Sequence, residues 1–203
     1  FSMQEPAENN IETEEFDELD FEKKTIDILY RYLESDEILP EGVLAYLSGM
    51  NSEESMKLRD KAYYKIRATA QGLNDADSFM LKSFAGVDQE RAWNFRETHL
   101  GDSAVLRSVA GLDSERAWKI RDRFKGGEVF GNLTSLIGLD SDRAWAFRDD
   151  TLQKHPDNNP LQTNALMSIA GLDSERAWKL RGSINFNDTT QLLSTLVLSL
   201  TGL

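Results

Sequence analysis

The chain has 203 residues, 35 acidic against 23 basic side chains, a formal charge of -12, and is 40% hydrophobic by count. This acidic, globular composition has no overall attraction for nucleic acid or an anionic membrane surface. No apolar run reaches the roughly 18 residues that span a bilayer, and the absence of cysteine excludes disulfides, thiolate metal sites and cysteine nucleophiles.

The charge is concentrated at one end: residues 1–45 hold 14 acidic and 3 basic side chains, and residues 46–203 hold 21 and 20. The body is therefore nearly neutral. Glu5 to Asp20 is dense in Glu, Asp and Asn and poor in large apolar residues, so it cannot bury enough surface to offset its ordering entropy. Residues 1–20 are expected to form a disordered acidic tail, with Phe1-Ser2-Met3 as a cloning remnant before a start Met, and residues 21–203 one helical domain. Nothing in the tail reads as a secretion signal, and a cytoplasmic setting is expected. Next, Phe21 to Leu33 sets Ile26, Leu29, Tyr30 and Leu33 at helical spacing and predicts a capping helix.

From residue 49 one phrase recurs. Gly86-Val87-Asp88-Gln89-Glu90-Arg91-Ala92-Trp93-Asn94-Phe95-Arg96 returns from Gly111 to Arg121, from Gly138 to Arg148 and from Gly171 to Arg181, with a divergent copy from Gly49 to Arg59. Successive glycines are 37, 25, 27 and 33 residues apart, and all four Trp share one position of the phrase. Five residues before each glycine stand Leu44, Leu81, Leu106, Leu133 and Leu166; two before it stand Leu47, Phe84, Val109, Leu136 and Ile169. That three-residue offset predicts one apolar face on a short first helix. The glycine suits the left-handed turn that ends a helix. The Asp or Asn that follows offers an oxygen to the free amides of a second helix, and an acidic residue two further on sits at that helix's positive end. Each unit thus reads as helix, tight corner, helix. Helices of about ten residues are unstable alone in water, so the units must stack. Gln191 to Thr201, with Val197 and Leu200 in register, repeats the first helix before Gly202-Leu203, and this arrangement is read as a piece of a longer array.

On a helical wheel Arg96 falls inside the apolar arc, as do Arg121, Arg148, Arg181 and Arg59. A guanidinium placed there is costly unless partnered. The nearest regular acceptors are the corner aspartates Asp88, Asp113, Asp140 and Asp173 or main-chain carbonyls of an adjacent unit, which predicts a ladder. On these residues the chain resembles the HEAT and armadillo-like helical repeats, whose units carry an Asp before and an Arg within the second helix that link successive repeats. The first helices here lack that family's mid-helix proline, and the units are shorter and less even. The resemblance implies an all-α fold, a right-handed α-solenoid of about five stacked helix-turn-helix repeats behind an N-terminal capping helix, and a protein-binding role.

Arg91, Arg116, Arg143 and Arg176 lie at the border of the wheel, where inter-unit ion pairs or partner contact are the two readings; the tryptophans are expected to pack between helices. The expected function is a non-catalytic scaffold for a protein or peptide, without cofactor or metal, in which these arginines and the variable Asn94, Lys119, Ala146 and Lys179 meet the partner. The alternative is a modular nucleic-acid binder using the repeated Arg and Trp. Uneven unit lengths and a nearly neutral body count against it. Catalytic parts are scarce: His99 and His155 fall in connections and are expected to be exposed, and Asn132-Leu133-Thr134 and Asn187-Asp188-Thr189 match a glycosylation pattern short enough to occur by chance.

Overall fold

The computed structural model describes residues 18–69, 75–184 and 190–203, with side chains from residue 20 in the first segment and from residue 194 in the last. Most of the expected acidic tail, and Asn187 of the second glycosylation pattern, lie outside these residues. Every regular element among the described residues is a helix.

The leading helix α1 (Glu18–Ser35) begins inside the span expected to be tail and buries Ile26, Leu29 and Leu33. Tyr30 departs from expectation: it is largely exposed, and its hydroxyl accepts a 2.8 Å hydrogen bond from Lys61 Nζ. Five helix pairs follow: α2 (Pro40–Tyr46) with α3 (Glu53–Arg67), α4 (Ala76–Ser83) with α5 (Glu90–Thr98), α6 (Ala104–Ser108) with α7 (Glu115–Arg123), α8 (Val129–Ser135) with α9 (Asp142–Lys154), and α10 (Asn159–Ser168) with α11 (Glu175–Ser183). The last element, α12 (Thr190–Ser199), is a sixth first helix.

Each pair turns at its repeated glycine, and these glycines all have positive φ, between +74° and +88° with Gly202 included. The following residue's amide folds back onto the end of the first helix, as in Leu112 N to Val109 O at 3.1 Å. Cap chemistry differs from the sequence reading. The oxygen that caps the second helix belongs to the serine after the corner aspartate: Ser114, Ser141 and Ser174 accept from Ala117, Ala144 and Ala177 amides, and Ser52 from that of Ser55. Asp88, Asp113, Asp140 and Asp173 lie one residue too early to reach those amides and turn elsewhere.

First helices pack in chain order, α2 on α4, α4 on α6, α6 on α8, α8 on α10 and α10 on α12. The paired apolar positions meet at this seam: the ten residues from Leu44 to Ile169 identified by spacing are all at most 1% exposed. Corner backbones also approach closely, with Gly49 N donating to Ala85 O at 2.8 Å and Gly86 N to Ala110 O at 2.9 Å. None of the short first helices, α6 with five residues least of all, has the length to persist alone; the neighbour completes each.

The core is shared across unit boundaries. Trp93 packs with Val105, Leu106 and Ala117 of the next pair, Trp118 with Leu133 and Ala144, and Trp145 with Leu166 and Ala177. An indole removes on the order of 200 Å² from water, roughly 5 kcal/mol gross at ~25 cal/mol/Å², more than any single surface ion pair contributes. Trp178 departs from this pattern: it is 48% exposed, against 3–4% for the other three. Val197 and Leu200, in the register that is buried elsewhere, are 59% and 37% exposed.

Gly111 tests the corner geometry cleanly, because a Cβ there would meet nothing within 4 Å while φ is +75°. Gly111→Ala should therefore lower stability by about 1–2 kcal/mol through backbone strain alone, and Gly111→Asn by less, as read from urea denaturation midpoints.

Candidate functional site

The repeated arginines form two ladders, one buried and one at the surface. In the buried ladder, Arg96 Nη2 donates to Phe84 O at 2.8 Å in its own unit and to Ser108 O at 2.6 Å in the next, while Nε donates to Ser108 Oγ at 3.1 Å. Arg121 repeats this with Val109 O at 2.9 Å, Ser135 O at 2.8 Å and Ser135 Oγ at 2.9 Å. Arg148 does so with Leu136 O, Ser168 O and Ser168 Oγ, and Arg181 with Ile169 O, Ser199 O and Ser199 Oγ. Arg59 reaches Leu47 O, Met50 O and Ser83 O.

These acceptors are the carbonyls at the C-terminal ends of two consecutive first helices, groups that have no partner within their own helix and carry the negative end of its dipole. One planar cation fits between two such ends better than an ammonium would, because its donors fork toward both. Of the two acceptor sets expected from the wheel, these arginines meet the main-chain carbonyls, joined by serines, and not the corner aspartates. Asp88, Asp113, Asp140 and Asp173 instead accept the indole N–H of Trp93, Trp118, Trp145 and Trp178 at 2.6–2.8 Å. A helical turn places each Asp beside the Trp of its own unit, satisfying a polar atom that would otherwise be buried alone. The guanidiniums of Arg96, Arg121, Arg148 and Arg181 also lie over that indole, Arg96 4.4 Å from the Trp93 centroid and Arg121 4.6 Å from that of Trp118. Burial pushes Arg59, Arg96, Arg121 and Arg148 down to about 10 and Arg181 in the same direction, still far above neutrality, so the cation persists at pH 7. Nη1 of Arg96, Arg121 and Arg148 finds no acceptor among the described residues.

The serines of this ladder were the residues that spacing arguments missed. Ser83, Ser108, Ser135, Ser168 and Ser199 each stand three residues before a corner glycine, and the first unit has Tyr46 there instead. The exception has a cause: α1 precedes α2 and supplies no ladder arginine to meet it. Extending the aligned phrase three residues upstream would have exposed the signal.

At the surface, Arg116 pairs with Glu90 at 2.9 Å and Glu97 at 2.7 Å, Arg143 with Glu115 at 3.1 Å and Asp122 at 2.8 Å, and Arg176 with Asp142 at 2.6 Å; Arg91 pairs with Asp60. Every pair joins a second helix to the one before it. Arg116 and Arg143 also cover the outer faces of Trp93 and Trp118 at 4.8 and 4.5 Å. Each of these two indoles is thus held between its own unit's buried arginine and the next unit's surface arginine. The corner serines add to the link, Ser141 and Ser174 donating to Asp113 and Asp140 at 3.2 and 2.9 Å. Hydrogen bonding to Arg116 holds Glu90 below its ordinary value, and Arg116 is raised by the same contact.

Asn94, Lys119, Ala146 and Lys179 are exposed on the second helices. Shallow grooves run between these helices. One is lined by Trp93, Leu100, Arg116, Lys119, Ile120 and Arg123, and the next by Trp118, Lys125, Arg143, Ala146, Phe147 and Asp150.

His99 lies differently from expectation. It is partly buried, its ring stacked on Phe95 at 4.2 Å and its Nε2 3.3 Å from Asp77 Oδ2, while Tyr63 donates to Asp77 Oδ1 at 2.6 Å. This cluster ties α3, α4 and the end of α5 together. His155 is exposed, as expected. Asn132 is 1% exposed and donates to Phe124 O, so it offers no room for a glycan. Among the described residues no group of three or more His, Asp or Glu is placed to hold a metal ion, and no helix is long and apolar enough to cross a membrane. No family model, curated protein or solved structure matches the chain.

Two measurements separate the ladders. Arg121→Ala should cost about 3–5 kcal/mol in urea unfolding, since it opens a cavity and leaves the buried Ser135 carbonyl unpartnered while Val109 O keeps only the Leu112 amide, whereas Arg143→Ala should cost less than about 1 kcal/mol. Glu90 has a depressed pKa, so its contribution is present above the unfolded carboxylate value and is lost as pH falls through the folded one. An NMR titration of Arg116→Ala should return Glu90 to the ordinary Glu range.

Proposed function

We propose that the chain is a right-handed α-solenoid of five stacked helix-turn-helix units with α1 as N-terminal cap, related in design to HEAT and armadillo-like repeats. On this reading it acts in the cytoplasm as a non-catalytic scaffold for a protein or peptide partner. The observation that carries the reading is the division of labour among the repeated residues. The conserved phrase serves packing between units, through the buried arginines, the serines before each corner and the indoles. The positions that vary from unit to unit, Asn94, Lys119, Ala146 and Lys179, are exposed on the second helices, and Lys119 and Ala146 line the grooves between them. A surface that is constant in framework and variable in side chain suits selective binding of an extended partner.

A modular nucleic-acid binder would draw on the repeated arginines and tryptophans. Their engagement here works against it: the surface arginines face acidic partners and three indoles are buried, so neither free cations nor open stacking faces recur at unit spacing.

Photo-crosslinking from p-benzoylphenylalanine placed at 146 should trap a discrete protein partner. The Lys119→Glu, Lys179→Glu double variant, with unchanged helical circular dichroism, should lose it. Tight retention of single-stranded RNA or DNA in filter binding at low salt, or crosslinks that survive the double variant, would overturn the proposal.

A further inference from the structure

The groove between α5 and α7 carries charge that the neighbouring groove does not. Its walls bear three cations, Arg116, Lys119 and Arg123, against one acid, Glu97. Arg116 is held by Glu90 and Glu97, whereas Lys119 and Arg123 have no ion pair among the described residues. The two stand four residues apart on α7 and so share one helical face. At the same two positions of the phrase α9 carries Ala146 and Asp150, and α5 carries Asn94 and Thr98. In the groove between α7 and α9, Arg143 pairs with Asp122 and Lys154 with Asp150, so Lys125 is the one unpaired cation among the described residues that line it. Leu100, Ile120 and Trp93 supply the apolar part of the first groove. Two free cations beside an apolar strip therefore belong to this junction, through its variable positions, and not to the repeat.

We propose that this groove binds an acidic segment of a partner protein, an extended peptide in which carboxylates flank an aliphatic side chain. The aliphatic side chain lies against Leu100 and Ile120. The carboxylates meet the Lys119 ammonium and the Arg123 guanidinium, whose forked donors suit a carboxylate. Charge complementarity selects this occupant, because a basic or neutral peptide would leave both cations unmet. The net charge of -12 does not forbid it. Charges beyond about 8 Å are largely screened at physiological salt, so the two local cations decide for a short peptide. A nucleic-acid strand is longer than the groove and would run on past Glu90, Glu115 and Asp122, which are exposed on the flanking second helices.

This assignment rests on the scaffold reading of the second-helix grooves. A discrete crosslink from 146 without peptide binding here would remove only the acidic chemistry, and absence of both would remove the scaffold as well. The test follows the isoleucine methyl and indole N–H resonances of the full chain as the peptide Gly-Glu-Glu-Leu-Glu-Glu-Gly is added at low salt. Saturable shifts at Ile120 and Trp93 are expected below about 1 mM peptide, and peptides with Gly for Leu or Lys for Glu should give none. The Lys119→Glu, Arg123→Glu variant, with unchanged helical circular dichroism, should bind about 20-fold more weakly, and the Lys-bearing peptide should bind it instead. Lys82→Glu, Arg107→Glu on α4 and α6 makes the same change in net charge and should leave affinity within about twofold. No saturable shift at Ile120, equal weakening by the two double variants, or displacement of the peptide by a single-stranded RNA oligomer would each overturn the proposal. So would a gain in affinity above roughly tenfold when the full chain carries Glu12→Gln, Glu14→Gln and Glu15→Gln, since the chain's own acidic segment would then be the occupant.

Discussion

The guanidinium held between the C-terminal ends of two consecutive first helices is the interaction on which the rest of the structure depends. A short helix leaves its last carbonyls unpartnered, and α6 has only five residues in which to compensate. Packing such helices directly on one another would bury the carbonyls of Ser108 and Ser135 without partners and leave those of Phe84 and Val109 with only the corner amide. Arg96, Arg121, Arg148 and Arg181 satisfy them from the side and attach each helix end to the next. A charge in an apolar interior is expensive in isolation, yet here three or four acceptors, two helix dipoles and an aromatic face surround it. Removing one side of that arrangement would leave the other buried and unmet.

The remaining links follow from this junction. Because the arginine occupies the gap between first helices, its Trp is pressed outward against the next second helix, where the following arginine closes over it. The corner aspartate satisfies the indole N–H, and Asp113 and Asp140 also receive the next unit's serine. Surface ion pairs then tie second helix to second helix at the periphery, where solvent screening makes each one weak. Strength therefore lies inside the stack of contacts, and the outer side chains between grooves carry little structural duty.

Two positions show how the same residue type takes different roles by location. Trp145 and Trp178 stand at one place in the phrase, but the first is closed off by α11 and the second has no comparable neighbour among the described residues. Tyr46 stands where later units have serine because no ladder arginine approaches it from α1. Departures from the repeat thus mark the edges of the packing.

By itself the sequence determined the helices, their corners and the buried apolar seam. A repeated Gly with apolar residues two and five before it encodes local backbone geometry and one helical face, both of which depend on nearest neighbours in the chain. It also placed an arginine where only a partnered charge could stand. The partners were a matter for the tertiary structure. Main-chain carbonyls are identical in every residue and leave no trace in composition, so Phe84, Val109, Leu136 and Ile169 as acceptors, and Asp88 turning to Trp93 instead of Arg96, emerge only when helices from different units are brought together. The same holds for the exposure of Trp178, which depends on what lies beside α11 and not on any residue within it.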